Sequence, residues 1–466
     1  MNLPSALLDS LEGLPGFDRT AFIAVHEAAT QTPSIRLNPG KPVSGGVATL
    51  AEAYARTSAR PVDVSPIAWC ADGYHLHPRP SFTFDPYFHA GGYYVQEASS
   101  MFLGHVMTRL CGDRQSLRVL DLCAAPGGKS TQLASLPFIS LLVSNEVIRT
   151  RVAVLFENIV KWGAPHVFVS QNDPSHFSRL EGFFDVIVVD APCSGSGLFR
   201  RDAAAVEEWS LAAVDLCSQR QQRILADALP ALKEGGMLIY STCSYSRDEN
   251  EDVLDWLASE QGMSSVGVGM PSGWGIAESI SGKTGSIGYR FYPDRLQGEG
   301  FFLAAMRKEY GRESDPSGIR PLASAIPKGT DIDAWIDESA GFLYQQKEDD
   351  LIAVPVALSL EHALLAKHLH LRKSGTRLGK LIRGKLNPDH ELAMSTMSNR
   401  SIPSTALSHD DAIRYLRKDV FIPDSLIQGW NLMTFGGLPL GFMKCMPSRA
   451  NNYYPADWRI RSQRPG

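Results

Sequence analysis

From about residue 116 to 308 the chain alternates short apolar runs with longer stretches that carry apolar residues on one helical face. Apolar runs of four to eight residues bounded by turn residues read as buried strands, and the stretches between them as helices. The pattern predicts strands at 118–122, 139–144, 166–170, 185–190, 237–241 and 300–306. It predicts helices over 149–162, 210–232 and 248–258, the second ended by Lys233-Glu-Gly-Gly, a good C-cap signal. Strand–helix alternation of this regularity argues for an α/β fold with a parallel, doubly wound sheet.

The flanks are patterned differently. The first stretch, LPSALLDSLEGLPGFDRTAFIAVHEAA, is amphipathic and suggests one or two short helices. SIRLNPGKPVSGG follows with extended or turn character, and residues 78–86 (PRPSFTFDP) read as a linker. GGYYVQEASSMFLGHVM predicts a helix opened near Gln96 and Glu97. Composition changes again at 311–321, and from Leu407 onward an aromatic- and Gly-rich module has the strand-and-turn look of a small barrel. The expected organisation is therefore 1–90, an N-terminal domain; 91–310, a catalytic domain; 315–400, an intermediate segment; and 405–466, a closing module. No internal repeat or low-complexity tract stands out.

A chain of 466 residues is too long for one core. With net charge −5 it has no overall signature of a nucleic-acid binder. One window departs from that: 366–385 holds seven Lys/Arg and no Asp/Glu, either a solvated face or an RNA-phosphate surface from Lys367 to Lys385. The seven cysteines (70, 111, 123, 193, 217, 243, 445) are odd in number and scattered, without CxxC or Cys/His spacing. Reduced thiols and no structural metal are expected. No basic start with an apolar core opens the chain and no run of 18 apolar residues occurs, so a cytoplasmic protein with no membrane partner is expected.

Three strand ends carry the candidate chemistry. In SLRVLDLCAAPGGKSTQ, at 116–132, a strand enters a helix through a small-residue turn, which lets backbone N–H groups approach a ligand. In FFDVIVVDAPCSGSG (183–197) and GGMLIYSTCSYS (235–246) an apolar strand ends in a cysteine-bearing polar turn. Strand C-termini line the crevice of such sheets, so two thiols are aimed at one site. Ala-Pro-Gly-Gly-Lys does not supply the G-x-G-x-x-G that a nicotinamide dehydrogenase needs.

DLCAAPGGKS, DAPCSGSG and YSTCS, in this order, resemble the motifs of the RNA (cytosine-5)-methyltransferases that use S-adenosylmethionine (SAM). The tail from Gly429 to Ile460 resembles the C-terminal module of one bacterial branch, the RsmF type, which methylates 16S ribosomal RNA and carries a PUA-like RNA-binding domain there. The resemblance implies a Rossmann-like SAM methyltransferase sheet with a small N-terminal α+β domain and a C-terminal PUA-like β module. It implies 16S ribosomal RNA or the small subunit as partner and a monomer without metal. Transfer RNA with the same chemistry, or a non-catalytic role in ribosome assembly, are the alternatives.

Carbon 5 of cytosine takes a methyl group only after a thiolate has added to carbon 6. By the resemblance Cys243 is the nucleophile and Cys193 assists proton removal and release, although spacing alone does not say which sulfur attacks. Asp190 would contact the cytosine face and the reactive end of SAM, and Lys129 the target base or its phosphate. The turn Cys123, Ala124, Ala125, Pro126, Gly127, Gly128 and Lys129 would cradle the methionine part. Glu146 would take the ribose hydroxyls and Asp173 the adenine amino group, with Arg151 and Asp190 completing the cofactor set. The cytosine must be flipped or single-stranded. Arg36 with Asn38, Arg200 with Arg201, Arg290 and Lys308 are either RNA contacts or structural and surface charges.

Overall fold

The computed structural model describes residues 3–28, 30–58, 61–326, 330–423 and 425–462. Four short strands come first, β1 (Ser34–Leu37), β2 (Asp63–Ile67), β3 (Cys70–His77) and β4 (Tyr93–Val95), in the antiparallel order β2-β3-β1-β4. The central strands are β5 (Leu117–Asp121), β6 (Ile139–Asn145), β7 (Val167–Ser170), β8 (Phe184–Asp190) and β9 (Leu232–Thr242). They pair in parallel in the order β7-β6-β5-β8-β9. Beyond β9 come β10 (Met263–Ser265), β11 (Ala277–Ile280), β12 (Ile287–Phe291) and β13 (Phe301–Lys308), with β13 antiparallel to β9.

Alternate residues of a strand point to opposite faces. Val119, Val186, Val188 and Ile239 enter one apolar layer, and Leu120, Ile187, Val189 and Leu238 the other. Burial on both faces is why these strands read as continuous apolar runs.

The C-terminal third adds β14 (Phe342–Lys347), β15 (Asp350–Pro355), β16 (Leu371–Ser374), β17 (Thr376–Ile382) and β18 (Lys385–Pro388). β14-β15-β17-β18 form their own antiparallel sheet, whereas β16 crosses to the central sheet and pairs antiparallel with β7, completing a 10-stranded sheet. The closing module is β19 (Ser404–Ala406), β20 (Gly429–Phe435), β21 (Leu438–Met446) and β22 (Arg449–Asn452) in sequential order.

Several expectations change. Residues 78–86 are not a linker: Phe82, Phe84 and Tyr87 are buried in one core with Leu407, Leu416, Met433 and Leu440 of the closing module. The Tyr87 ring meets Phe435 at 4.8 Å. The helix expected at Gln96 and Glu97 starts at Phe102, behind β4 and a 3-10 turn. Glu97 accepts from the N–H groups of Ser99, Ser100 and Glu299, each at 2.9 Å, and so caps this turn instead of continuing it.

The helix expected over 210–232 is Leu211–Ala228, because Pro230 cannot donate within it. β9 therefore begins at Leu232, before the double glycine. The helix expected at 248–258 is Glu251–Glu260.

Arg36 and Asn38 are buried and structural. Arg36 donates to Gln96 Oε1 (2.8 Å) and Thr131 Oγ1 (2.7 Å) under the Trp162 ring. Asn38 donates to the carbonyls of Gly91 and Trp162. Arg290 is sealed against Glu251, and Lys308 holds the carbonyls of Leu229 and Leu232 at 2.7 Å. The basic run is divided: Lys373 is buried on β16 against Glu391 (2.8 Å) and Arg377 pairs with Asp350 (2.9 Å). Lys367, Arg372, Lys380, Arg383 and Lys385 are exposed.

Candidate active site

A cavity of about 530 Å³ opens at the C-terminal ends of β5, β8 and β9, where an open parallel sheet places its ligands. The turn after β5 forms its floor through Cys123, Ala124, Ala125, Pro126 and Gly128. Gly127 sits in this turn at φ +114°, a conformation that glycine alone adopts without strain, and turns the chain into the helix Gly128–Leu133. Lys129, Asp190, Arg151 and Cys243 reach the wall, and Tyr94, Gln96, Glu299 and Phe301 close the other side.

Lys129 Nζ lies 2.9 Å from Asp190 Oδ2 and 5.0 Å from the centre of the Phe301 ring. Burial opposes the charge on Lys129. The Asp190 carboxylate and Asp121 behind it outweigh burial, so the ammonium titrates above its ordinary range. Ser241 donates to the other Asp190 oxygen at 2.8 Å and fixes the carboxylate against β9. Asp121 is itself pushed up to about 7 by burial, against the hydrogen bond from Ser130.

The Cys193 and Cys243 sulfurs lie 3.0 Å apart. The parallel register Asp190↔Ser241 brings the two turns level, and Gly197 N–H bonds the Cys243 carbonyl at 2.8 Å. A Cβ at Gly197 would stand 2.4 Å from the Gly300 carbonyl oxygen, so only glycine permits this approach. The neighbouring Cys243, burial and the Glu249 carboxylate all push the Cys193 thiol well above its usual range.

Not every expected residue lines the cavity: Gly127 does not, and Cys193 meets it only through Cys243. Glu146 is buried beside it, its carboxylate taken by the Ile148 N–H (2.9 Å) and by Arg151 (3.2 Å). Arg151 also donates to the Ala125 carbonyl at 2.7 Å. Asp173 is exposed and outside the cavity lining, its Oδ1 engaged by Ser175 N–H and Oγ at 3.0 and 2.7 Å.

At the mouth, Arg200 is buried against Glu299 (3.5 Å), and it exchanges hydrogen bonds with Thr30 and Gln31 of the N-terminal segment. Arg79 and Arg201 are exposed on the rim. Sequence reasoning missed Glu249, Glu299 and the Thr30–Ser34 segment. The only local signal for Glu249 is an acidic cluster shortly after the second cysteine turn, which reads equally well as a helix start.

The family models "16S rRNA methyltransferase RsmB/F", "N-terminal domain of 16S rRNA methyltransferase RsmF" and "Methyltransferase RsmF PUA domain" match residues 110–307, 3–98 and 403–460. Ribosomal RNA small subunit methyltransferase F of Enterobacter sp. (strain 638) is 30% identical over 96% of this chain and 93% of its own length. The protein of that name from Pectobacterium carotovorum is 29% identical over 98% and 96%.

Among solved structures, a methyltransferase homologue from Pyrococcus horikoshii is similar at TM-score 0.51 and 27% identity, over 66% of this chain and all of its own. NSun6 of that organism, solved with SFG, shares the fold at TM-score 0.55 and 19% identity, over 66% of this chain and 98% of its own. With a SAM-dependent methyltransferase sheet, a PUA domain and full-length similarity at this level, the chain belongs to the ribosomal RNA small subunit methyltransferase F family.

Proposed function

We propose that this protein methylates carbon 5 of a cytosine in 16S ribosomal RNA, using SAM, through a covalent adduct to Cys243. The observation that carries the reading is the pair of sulfurs 3.0 Å apart beside the Lys129–Asp190 pair at the cavity wall. One thiol serves as a small buried hydrophobe in many cores. Two in contact at the ends of neighbouring parallel strands, one of them on a cavity wall, fit covalent pyrimidine chemistry better.

The cavity suits the cofactor. Its volume lies in the range of small-molecule sites, and the backbone at Ala124–Gly128 approaches closely because no side chain larger than alanine or proline stands there. The turn with Lys129 would hold the methionine part, and the Glu146–Arg151 pair the ribose. Asp173 lies outside the lining, and with Ser175 on its Oδ1 its Oδ2 is the oxygen left for the adenine amino group. Bound there, SAM supplies an electrophilic methyl group on a sulfonium.

The chain's residues do the rest. Cys243 adds through sulfur to carbon 6, which makes carbon 5 the nucleophile that accepts the methyl group. Asp190, fixed by Ser241, faces the ring and holds Lys129, whose ammonium steadies the negative charge that develops on the ring during attack. Loss of the carbon 5 proton to a base at this wall lets the C6–S bond break, and Cys193 assists by donating its S–H to the departing sulfur. The arginines at the rim, Arg79 and Arg201, lie where the backbone of a flipped nucleotide would enter.

The test is methyl transfer from labelled SAM to isolated small subunits, naked 16S RNA and bulk tRNA, followed by digestion to nucleosides. Label in 5-methylcytidine from the ribosomal samples is expected. Label in tRNA alone would keep the chemistry and discard the substrate. Absence of 5-methylcytidine everywhere would overturn the reading.

A further inference from the structure

One side chain outside the three motifs fastens the two cysteine turns to each other. Glu249 lies in the 3-10 turn Arg247–Glu249 and is fully buried. Its Oε1 accepts from Ser194 N–H (2.8 Å) and Gln221 Nε2 (3.1 Å), and its Oε2 from the hydroxyls of Ser194 and Ser244, both at 2.5 Å. Ser194 follows Cys193, and Ser244 follows Cys243. Among the described residues no Lys, Arg or His forms an ion pair with this carboxylate. Burying an anion without a counter-ion is costly, and neutral acceptors would satisfy the same turns. Its place beside two thiols points to a use for both its shape and its charge.

We propose that Glu249 is a positioning residue for the reaction, its carboxylate fastening the turn that carries Cys193 to the turn that carries Cys243. This rests on the reading that Cys243 attacks and Cys193 assists release. Three of the four hydrogen bonds reach the turns, and together with the Gly197 N–H bond to the Cys243 carbonyl they hold the sulfurs at a separation that β8 and β9 alone would not fix, since both turns leave the ladder after Asp190 and Thr242. The charge has a second effect. It disfavours a thiolate at Cys193 and so holds a proton on that sulfur for the release step. The other titratable groups around the pair include Asp190 on β8, Lys129 paired with it, Tyr240 on β9 and Cys217 on the helix Leu211–Ala228.

Two variants separate shape from charge. Glu249→Gln keeps an acceptor for Ser194 N–H and Gln221 and turns its amide toward the two hydroxyls, which can accept; Glu249→Ala removes everything. Glu249→Ala is expected to leave SAM affinity unchanged, to lower turnover by about 100-fold, and to accumulate a Cys243–RNA adduct on denaturing gels. Glu249→Gln is expected to retain more turnover, while alkylation of Cys193, followed by peptide mass spectrometry in a Cys243→Ser background, shifts to lower pH.

Wild-type turnover in Glu249→Ala would overturn the proposal. So would a loss that merely follows melting temperature, with no adduct and no shift in alkylation. The alkylation profile needs neither RNA nor SAM, so it still decides Glu249's place beside the thiols if the wild type yields no 5-methylcytidine: a shift supports it, and an unmoved profile overturns it.

Discussion

The sulfurs of Cys193 and Cys243 lie 3.0 Å apart at the ends of neighbouring parallel strands, 50 residues apart in sequence. Both are free cysteines, and little movement separates them from disulfide geometry. Mild peroxide is expected to join them: each thiol gives up a hydrogen, the sulfurs bond, and the peroxide is reduced to water. Methyl transfer should stop as the bond forms and return with dithiothreitol. A mass-mapped Cys193–Cys243 peptide in fully active protein would show that neither thiol is needed.

The two thiols should fail differently. Cys243→Ala is expected to lower transfer by about 1000-fold or more while SAM binding, read by calorimetry, stays intact. Cys193→Ala should still methylate but hold the RNA as an adduct on a denaturing gel. An adduct stable only in the Cys243 variant would reverse the roles.

The Lys129–Asp190 contact joins the motif after β5 to the motif after β8. Lys129→Met removes the cation that fixes Asp190 and leaves the carboxylate beside the raised Asp121. Turnover is expected to fall by roughly 10- to 100-fold through misplacement of Asp190. Asp190 keeps some solvent, so the stability cost should stay near 1–2 kcal/mol, below that of a fully buried pair. Unchanged turnover at saturating substrate would remove this pair from the chemistry.

The central strands were readable because a parallel sheet buried on both faces writes uninterrupted apolar runs, as at Val186 to Val189. The same logic fails for β16, where a lysine occupies a buried position because Glu391, distant in sequence, neutralises it. It fails again for β2, where Asp63, Ser65 and Pro66 are exposed and break any apolar run. The linker reading of 78–86 failed because its prolines are local, while the partners that bury Phe82 and Phe84 arrive more than 300 residues later. At the site, motif cysteines and the glycine turn carry their own local signature. Glu249 does not, since a buried carboxylate makes sense only once Ser194, Gln221 and Ser244 are in place around it.

Lys41 joins the N-terminal segment to the catalytic domain. Its Nζ donates to the carbonyls of Ala90 (3.1 Å) and Lys161 (2.6 Å), with His390 near, and burial brings it down from 10.5 to about 7. Between these values the unfolded chain holds a proton that the folded one lacks. This group's contribution to stability therefore rises with pH from about 7 to 10.5, and its destabilising effect is greatest at and below pH 7. Lys41→Met should lose hydrogen bonds yet flatten that slope in urea unfolding across the window. An identical slope in both proteins would show that Lys41 stays charged when folded.

The exposed part of the basic run projects on the β17–β18 hairpin. Arg383 and Gly384 form its two-residue tip, both at positive φ, which is the twist-matched turn for paired strands. Lys380 and Lys385 flank that tip and are exposed with it, whereas Lys373 is buried in an ion pair. If the tip touches phosphates, replacing Lys380, Arg383 and Lys385 together by Gln should weaken binding to 16S RNA. It should also reduce the slope of log affinity against log salt by about 0.7–0.9 for each phosphate no longer neutralised. Lys373→Gln should leave that slope alone and instead lower the melting temperature, because Glu391 is then buried without its partner. An unchanged slope in the triple variant would make the hairpin a solvated face and assign RNA capture to the cavity rim and the closing module.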